Sequence, residues 1–131
     1  MAFHHLAVQV HDLPRAERWY RDVLGLAVMQ RWPGPDGQER SIWLALDGGA
    51  FLALERCDGE PVPGEGWARP APGYFVLALR IAASEREAWE ARLAAHGVAI
   101  ERRSQWTLFF RDPEGNRLGL SHHPESAPGV A

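Results

Sequence analysis

Apolar and polar positions alternate from Phe3 to Val10, with Leu6, Val8 and Val10 set against His5, Ala7 and Gln9, which predicts a half-buried strand. The period then changes. Asp12 or Leu13 stands at a helix cap and Pro14 in the first turn, and Trp19, Tyr20, Val23 and Leu24 recur at helical spacing, so a helix is expected over Pro14 to Leu24, ended by Gly25. One apolar stripe is what a helix packed on a sheet needs, and these aromatics are read as core. Leu26 to Trp32 predicts a second strand and 33–37 a loop; Ser41 to Leu46 and Ala50 to Arg56 flank Asp47-Gly48-Gly49 as a hairpin.

Residues 58–72 are too dense in Pro and Gly for either kind of interior and read as a linker. After them the order returns. Tyr74 to Ile81 predicts a strand, and Ser84 to His96 a helix with Ser84 and Glu87 as a capping box and Gly97 as its stop. Val98 to Arg103, Trp106 to Arg111 and Asn116 to Ser121 predict three more strands, and 123–131 a loose tail. Asp112-Pro113-Glu114-Gly115-Asn116 joins the last two, because Asp accepts backbone hydrogen bonds, Pro presets φ and Gly tolerates positive φ. The chain is thus an internal repeat: His5 to Val10 overlays Val76 to Ile81, and Gly49 to Leu54 overlays Gly115 to Leu120. Two βαβββ modules follow, module one over about 3–57 and module two over about 73–122, an α+β class.

Composition narrows the chemistry. A chain of 131 residues with 46% hydrophobic content buries one domain's worth of core. Net charge of −3 and pI near 6.0, with no basic run, argue against nucleic acid. All 14 basic side chains are Arg, so lysine Schiff-base chemistry is excluded. The lone Cys57 makes no internal disulfide and reads as an inert thiol; with no leader or long apolar run, a cytoplasmic protein without membrane contact is expected. Of the six Trp, Trp19 and Trp89 read as structural, whereas Trp67 in the linker is a candidate lid or interface residue.

The Asp-Pro-Glu-Gly-Asn turn between two strands resembles the closing hairpin of the vicinal oxygen chelate superfamily, which includes glyoxalases, extradiol dioxygenases and bleomycin- and fosfomycin-resistance proteins. Leu13-Pro14 with Trp19 to Leu26 resembles its opening helix and Ala94 to Val98 the exit of its second, so the resemblance covers residues 3–122. It implies a glyoxalase-like fold, with curved mixed sheets forming a cleft, and a divalent metal held by one side chain from the first and last strand of each module. Those positions fall here on His5, Ala53, Val76 and Gly119; the last holds a glutamate in the superfamily pattern. Only His5 can ligate, and a catalytic site of this kind needs at least three N, O or S donors. No metal and no cofactor are therefore expected. A rearranged set of His5, Glu55 and His123 is the competing reading, while His4-His5 and His122-His123 read otherwise as surface or strand-end imidazoles.

The expected ligand positions are His5, Trp43, Phe51, Ala53, Glu55, Val76, Arg80, Thr107, Phe109 and Gly119, with Ala7, Gln9, Ala78, Arg117 and Ser121 sharing their parity. A three-residue Asp47-Gly48-Gly49 loop would turn Trp43 inward and a two-residue loop outward; aromatics at the places of Trp43 and Phe51 in resistance proteins favour inward. Ala53, Val76 and Gly119 are read as space for a ligand. Three function classes follow. The first is a metal-free protein binding a small organic molecule, as bleomycin-resistance proteins do. The second is an enzyme, metal-dependent or with His5 as catalytic acid/base, in the range of lyase, isomerase, glutathione-transferase-like or dioxygenase chemistry. The third is a non-catalytic interaction module. A homodimer is expected from the sheets' open edges and from the superfamily's habit of pairing about a two-fold axis.

Overall fold

The structure, a computed structural model, describes residues 1–59 and 73–127. Of the expected linker only Asp58 and Gly59 fall within them; Trp67 and the last four residues lie outside. The chain divides into two compact units, Met1–Val62 and Pro63–Ala131.

The first unit runs β1 (His5–Val10), α1 (Leu13–Leu24), β2 (Val28–Pro33), β3 (Glu39–Ala45) and β4 (Phe51–Arg56). Its sheet has the order β1-β4-β3-β2, with β1 parallel to β4 and the other pairs antiparallel. Asp12 caps α1 by accepting the Arg15 N–H at 3.0 Å, and Gly25 ends it in the left-handed conformation at φ 71°. Strand alternation sends Val10, Ile42, Leu44, Leu52 and Leu54 to one face, where they are fully or almost fully buried alongside Leu13, Ala16, Tyr20 and Val23 of α1. Each such side chain removed from water contributes roughly 1.5–3 kcal/mol, so this layer holds the unit together. Glu17 lies on the same buried side of α1, although the helical pattern places a charge there; Arg31 of β2 holds it at 2.7 Å and Arg21 at 3.0 Å.

The second unit repeats the plan with β5 (Leu77–Arg80), α2 (Arg86–Ala95), β6 (Ile100–Arg103), β7 (Thr107–Arg111) and β8 (Arg117–Ser121), in the order β5-β8-β7-β6 with β5 parallel to β8. Leu108, Phe110, Leu118 and Leu120 bury on one face together with Leu93 of α2. The fold is therefore α+β, two open four-stranded mixed sheets each with a helix. Among the described residues no helix is long and apolar enough to cross a membrane.

Three local expectations are corrected. The second helix is not capped by Ser84: a short 3-10 turn, Ala83–Glu85, precedes α2, and Glu85 reaches back to accept the Ala82 N–H at 2.8 Å. The cap signal was thus offset by two residues, since several polar residues in a row allow more than one start. His122 is not a surface imidazole but is 1% exposed. The segment after Ser121 is not loose up to 127, because Glu125 N–H bonds the His122 carbonyl at 2.8 Å and Ala127 is buried.

Candidate functional site

Each sheet has a second face that its own helix leaves uncovered. In the first unit, register fixes what lies there. His5 pairs with Phe51, Ala7 with Ala53 and Gln9 with Glu55 between β1 and β4, while Trp43 pairs with Ala53 and Ser41 with Glu55 between β3 and β4. The loop over Asp47–Gly49 has three residues, closed by the Leu46 N–H to Ala50 carbonyl bond at 2.9 Å, so Trp43 shares the face of Phe51 and Ala53. Rings from four strands line up along it. His5 stacks on Phe51 at 4.7 Å between centroids, Phe51 on Trp43 at 4.3 Å, and Trp43 meets Trp32 of β2 at 5.4 Å. Neighbouring strands stand about 4.8 Å apart, which is why rings at paired or diagonal positions stack.

A polar chain continues from this row. The indole N–H of Trp43 donates to Ser41 Oγ at 3.1 Å, and Ser41 Oγ donates to Glu55 Oε1 at 2.8 Å. Arg40 approaches Glu55 Oε2 at 3.5 Å. Ser41, fully buried, and Trp32 were not among the expected ligand positions; Trp32 stood at the end of the second predicted strand, and only the β2–β3 register, Trp32 opposite Ser41, brings it onto this face.

The equivalent face of the second unit holds Val76, Ala78 and Arg80 on one side, and Thr107, Phe109, Arg117, Gly119 and Ser121 on β7 and β8. Phe109 pairs with Gly119 and Thr107 with Ser121, the last pair also joined through their hydroxyls at 2.9 Å. Arg80 donates to the His123 carbonyl at 3.2 Å. Glu101 of β6 draws two guanidiniums together, Arg111 at 2.9 Å and Arg117 at 3.0 Å, and the Phe75 ring lies 4.1 Å from the Arg117 guanidinium carbon. Burial by itself would raise the Glu101 carboxyl, but the hydrogen bonds from Arg117 and Arg111 outweigh it and hold it below the usual carboxylate range.

The reading of Gly119 as open space does not survive. A Cβ there would stand 3.0 Å from Thr107 Cγ2 and 3.4 Å from Val76 Cγ2, closer than carbon atoms pack comfortably. Ala53 is likewise only 2% exposed. Small residues at these positions let neighbouring side chains close in, instead of leaving a void.

The residues present do not fit the superfamily's divalent metal. Of His5, Ala53, Val76 and Gly119 only the first carries a donor, and its Nδ1 lies 2.7 Å from Nδ1 of His4. Glu55 is engaged by Ser41 and Arg40, and the ring of His123 packs edge-on against Trp106. Among the described residues no three His, Cys, Asp or Glu side chains gather as a metal site requires.

Comparison with known proteins places the fold. No curated protein matches the chain. Among solved structures, that of SMU.1112c is similar at 26% identity over 92% of this chain and 98% of the other, with a TM-score of 0.76. A lactoylglutathione lyase from Agrobacterium tumefaciens is similar at 24% identity over 92% of both chains, with a TM-score of 0.69. The fosfomycin resistance protein FosX from Listeria monocytogenes is similar at 14% identity over 92% of this chain and 89% of the other, also with a TM-score of 0.69. These last two likenesses carry the fold alone. A sequence model of the Glyoxalase/Bleomycin resistance protein/Dioxygenase superfamily matches residues 2–120, and the chain belongs to that superfamily.

Proposed function

We propose that the chain is a metal-free small-molecule-binding protein that takes up an organic ligand on the open face of its first sheet. One observation carries the reading: of the four positions where the resemblance puts the metal, His5, Ala53, Val76 and Gly119, only His5 is a donor, while the first-sheet face that carries His5 and Ala53 presents the His5–Phe51–Trp43–Trp32 row and one placed carboxylate. Ligand sites are built this way, from apolar and aromatic surface with a few oriented polar groups. Two copies pair in this proposal, covering sheet edges that each chain leaves exposed.

The competing reading is an enzyme of the same superfamily. A point mutant of FosX from L. monocytogenes has been solved with Mn(II) and 1S,2S-dihydroxypropylphosphonic acid, which favours a metal-dependent relative but at an identity that bears on fold only. Equilibrium dialysis against Zn²⁺, Mn²⁺ and Ni²⁺ separates the two. Binding of none stoichiometrically, with a library of aromatic compounds yielding ligands that change the fluorescence of the parent and not of Trp43→Ala, supports the proposal. One equivalent of metal lost on replacing His5 with Ala overturns it. A sedimentation mass of a single chain, near 14.6 kDa, would remove the dimer.

A further inference from the structure

Resting on that reading of the first sheet, the geometry points to a ligand class: a planar aromatic cation whose ammonium group is received by Glu55. Alternation sends His5, Ala7, Gln9, Phe51, Ala53, Glu55, Ser41 and Trp43 to the open face, and among the described residues of this unit it sends no Lys or Arg there. Glu39 shares the parity but is turned to Arg31 at 3.1 Å. Glu55 is therefore the carboxylate this face offers. Its charge and the electron-rich faces of the adjoining rings act in the same direction, because an aromatic quadrupole attracts cations and repels anions.

Hydrogen-bond direction singles out one oxygen. An indole N–H can only donate, so Trp43 commits Ser41 Oγ as acceptor, and the serine proton goes to Glu55 Oε1. Oε2 meets Arg40 at 3.5 Å, at the outer limit of a hydrogen bond and between side chains 53% and 28% exposed. Such a pair is worth little in water, and a ligand ammonium can displace it. Space is provided on β1. Ala7 is exposed between His5 and Gln9, and its row stands two residues, about 6.6 Å, from the Gln9–Glu55 row. A ring lying over Ala7 puts a substituent one carbon away beside Glu55.

Three probes with one ring system test this: 2-naphthylmethylammonium, 2-naphthylmethanol and 2-naphthoate, followed by calorimetry and by the Trp43 indole N–H signal in ¹⁵N spectra. The ammonium is expected to bind about tenfold more tightly than the alcohol, the size of one charge-assisted hydrogen bond, and the carboxylate to bind most weakly. Glu55→Gln, which keeps an acceptor for Ser41, should bring the ammonium to the alcohol's affinity and leave the alcohol unchanged. Arg40→Gln should strengthen the ammonium. Equal binding of all three with the Trp43 signal shifted would overturn the cation assignment and leave the binding face standing. Tightest binding by the carboxylate, weakened by Arg40→Gln, would overturn it in favour of an anion. If no probe moves the Trp43 signal, the binding face falls too.

Discussion

Trp43 lies directly opposite Ala53 across β3 and β4, and its indole is held on both sides of that row, by Phe51 at 4.3 Å and by Ser41 Oγ at 3.1 Å. The ring thus runs along the strand beside Ala53, which is 2% exposed although it lies on the face that α1 leaves bare. Where the superfamily pattern calls for a metal ligand, this chain has an aromatic neighbour occupying the room.

Restoring a ligand there should therefore disturb the aromatic row. Ala53→Glu is expected to cost about 1–3 kcal/mol, the usual result of forcing atoms into filled space, and to shift Trp emission to longer wavelength. Urea unfolding and emission spectra measure both. An unchanged midpoint would mean that the indole is not in the way.

At Gly119 two effects oppose each other. Replacing Gly by Ala in a strand gains roughly 0.5–1 kcal/mol of backbone preference, but the added carbon stands 3.0 Å from Thr107 Cγ2. Overpacking costs about 1–3 kcal/mol, so Gly119→Ala should destabilise and Gly119→Leu more so. Thr107→Ser removes the offending methyl and keeps the hydroxyl that bonds Ser121. Adding it to Gly119→Ala should recover stability in thermal melts; no recovery would place the strain elsewhere.

Acid should loosen the contact between α1 and β2. Hydrogen bonds from Arg31, opposed by burial and aided by Arg21, hold the Glu17 carboxyl below its ordinary range. A carboxyl lowered on folding stabilises the protein above its unfolded value, near 4.3 for Glu, and that contribution disappears as pH falls through the lower folded value. Glu17→Gln should accordingly be less stable than the parent by about 1–2 kcal/mol at neutral pH, with the gap closing in acid, below the ordinary carboxylate range. Denaturation curves at neutral and acid pH decide it; a constant gap would show that the charge is irrelevant.

Buried in the second unit, Arg86 donates to His122 Nε2 at 3.1 Å and to the Ser104 and Gln105 carbonyls at 3.0 and 3.2 Å. A guanidinium only donates, so His122 must present Nε2 unprotonated and carry its proton on Nδ1, toward the Glu125 carbonyl. His122→Phe removes an acceptor from a buried cation and should cost about 2 kcal/mol. Adding Arg86→Met should restore part of it, since an apolar pair strands no charge. Chemical denaturation of the single and double variants tests the coupling, and strict additivity would refute it.

The elements and their repetition were legible in the sequence because alternation, helical spacing and turn chemistry act over a few residues. Asp112 illustrates this: its carboxylate accepts the Glu114 and Asn116 N–H groups at 2.9 and 2.8 Å, as the five-residue turn motif predicts. That Trp43 shares the face of Phe51 and Ala53 followed as soon as the loop proved to have three residues. Only tertiary structure decided whether a small residue means a hole. Glycine and alanine read alike in a one-dimensional pattern whether solvent, a ligand or a neighbour's methyl stands over them, and at Gly119 the answer lay with Thr107, twelve residues away on another strand. The burials of Glu17 and His122 were hidden for the same reason. A charged or ionisable residue is tolerated inside when partners arrive from elsewhere, and Arg31 and Arg86 stand fourteen and thirty-six residues distant.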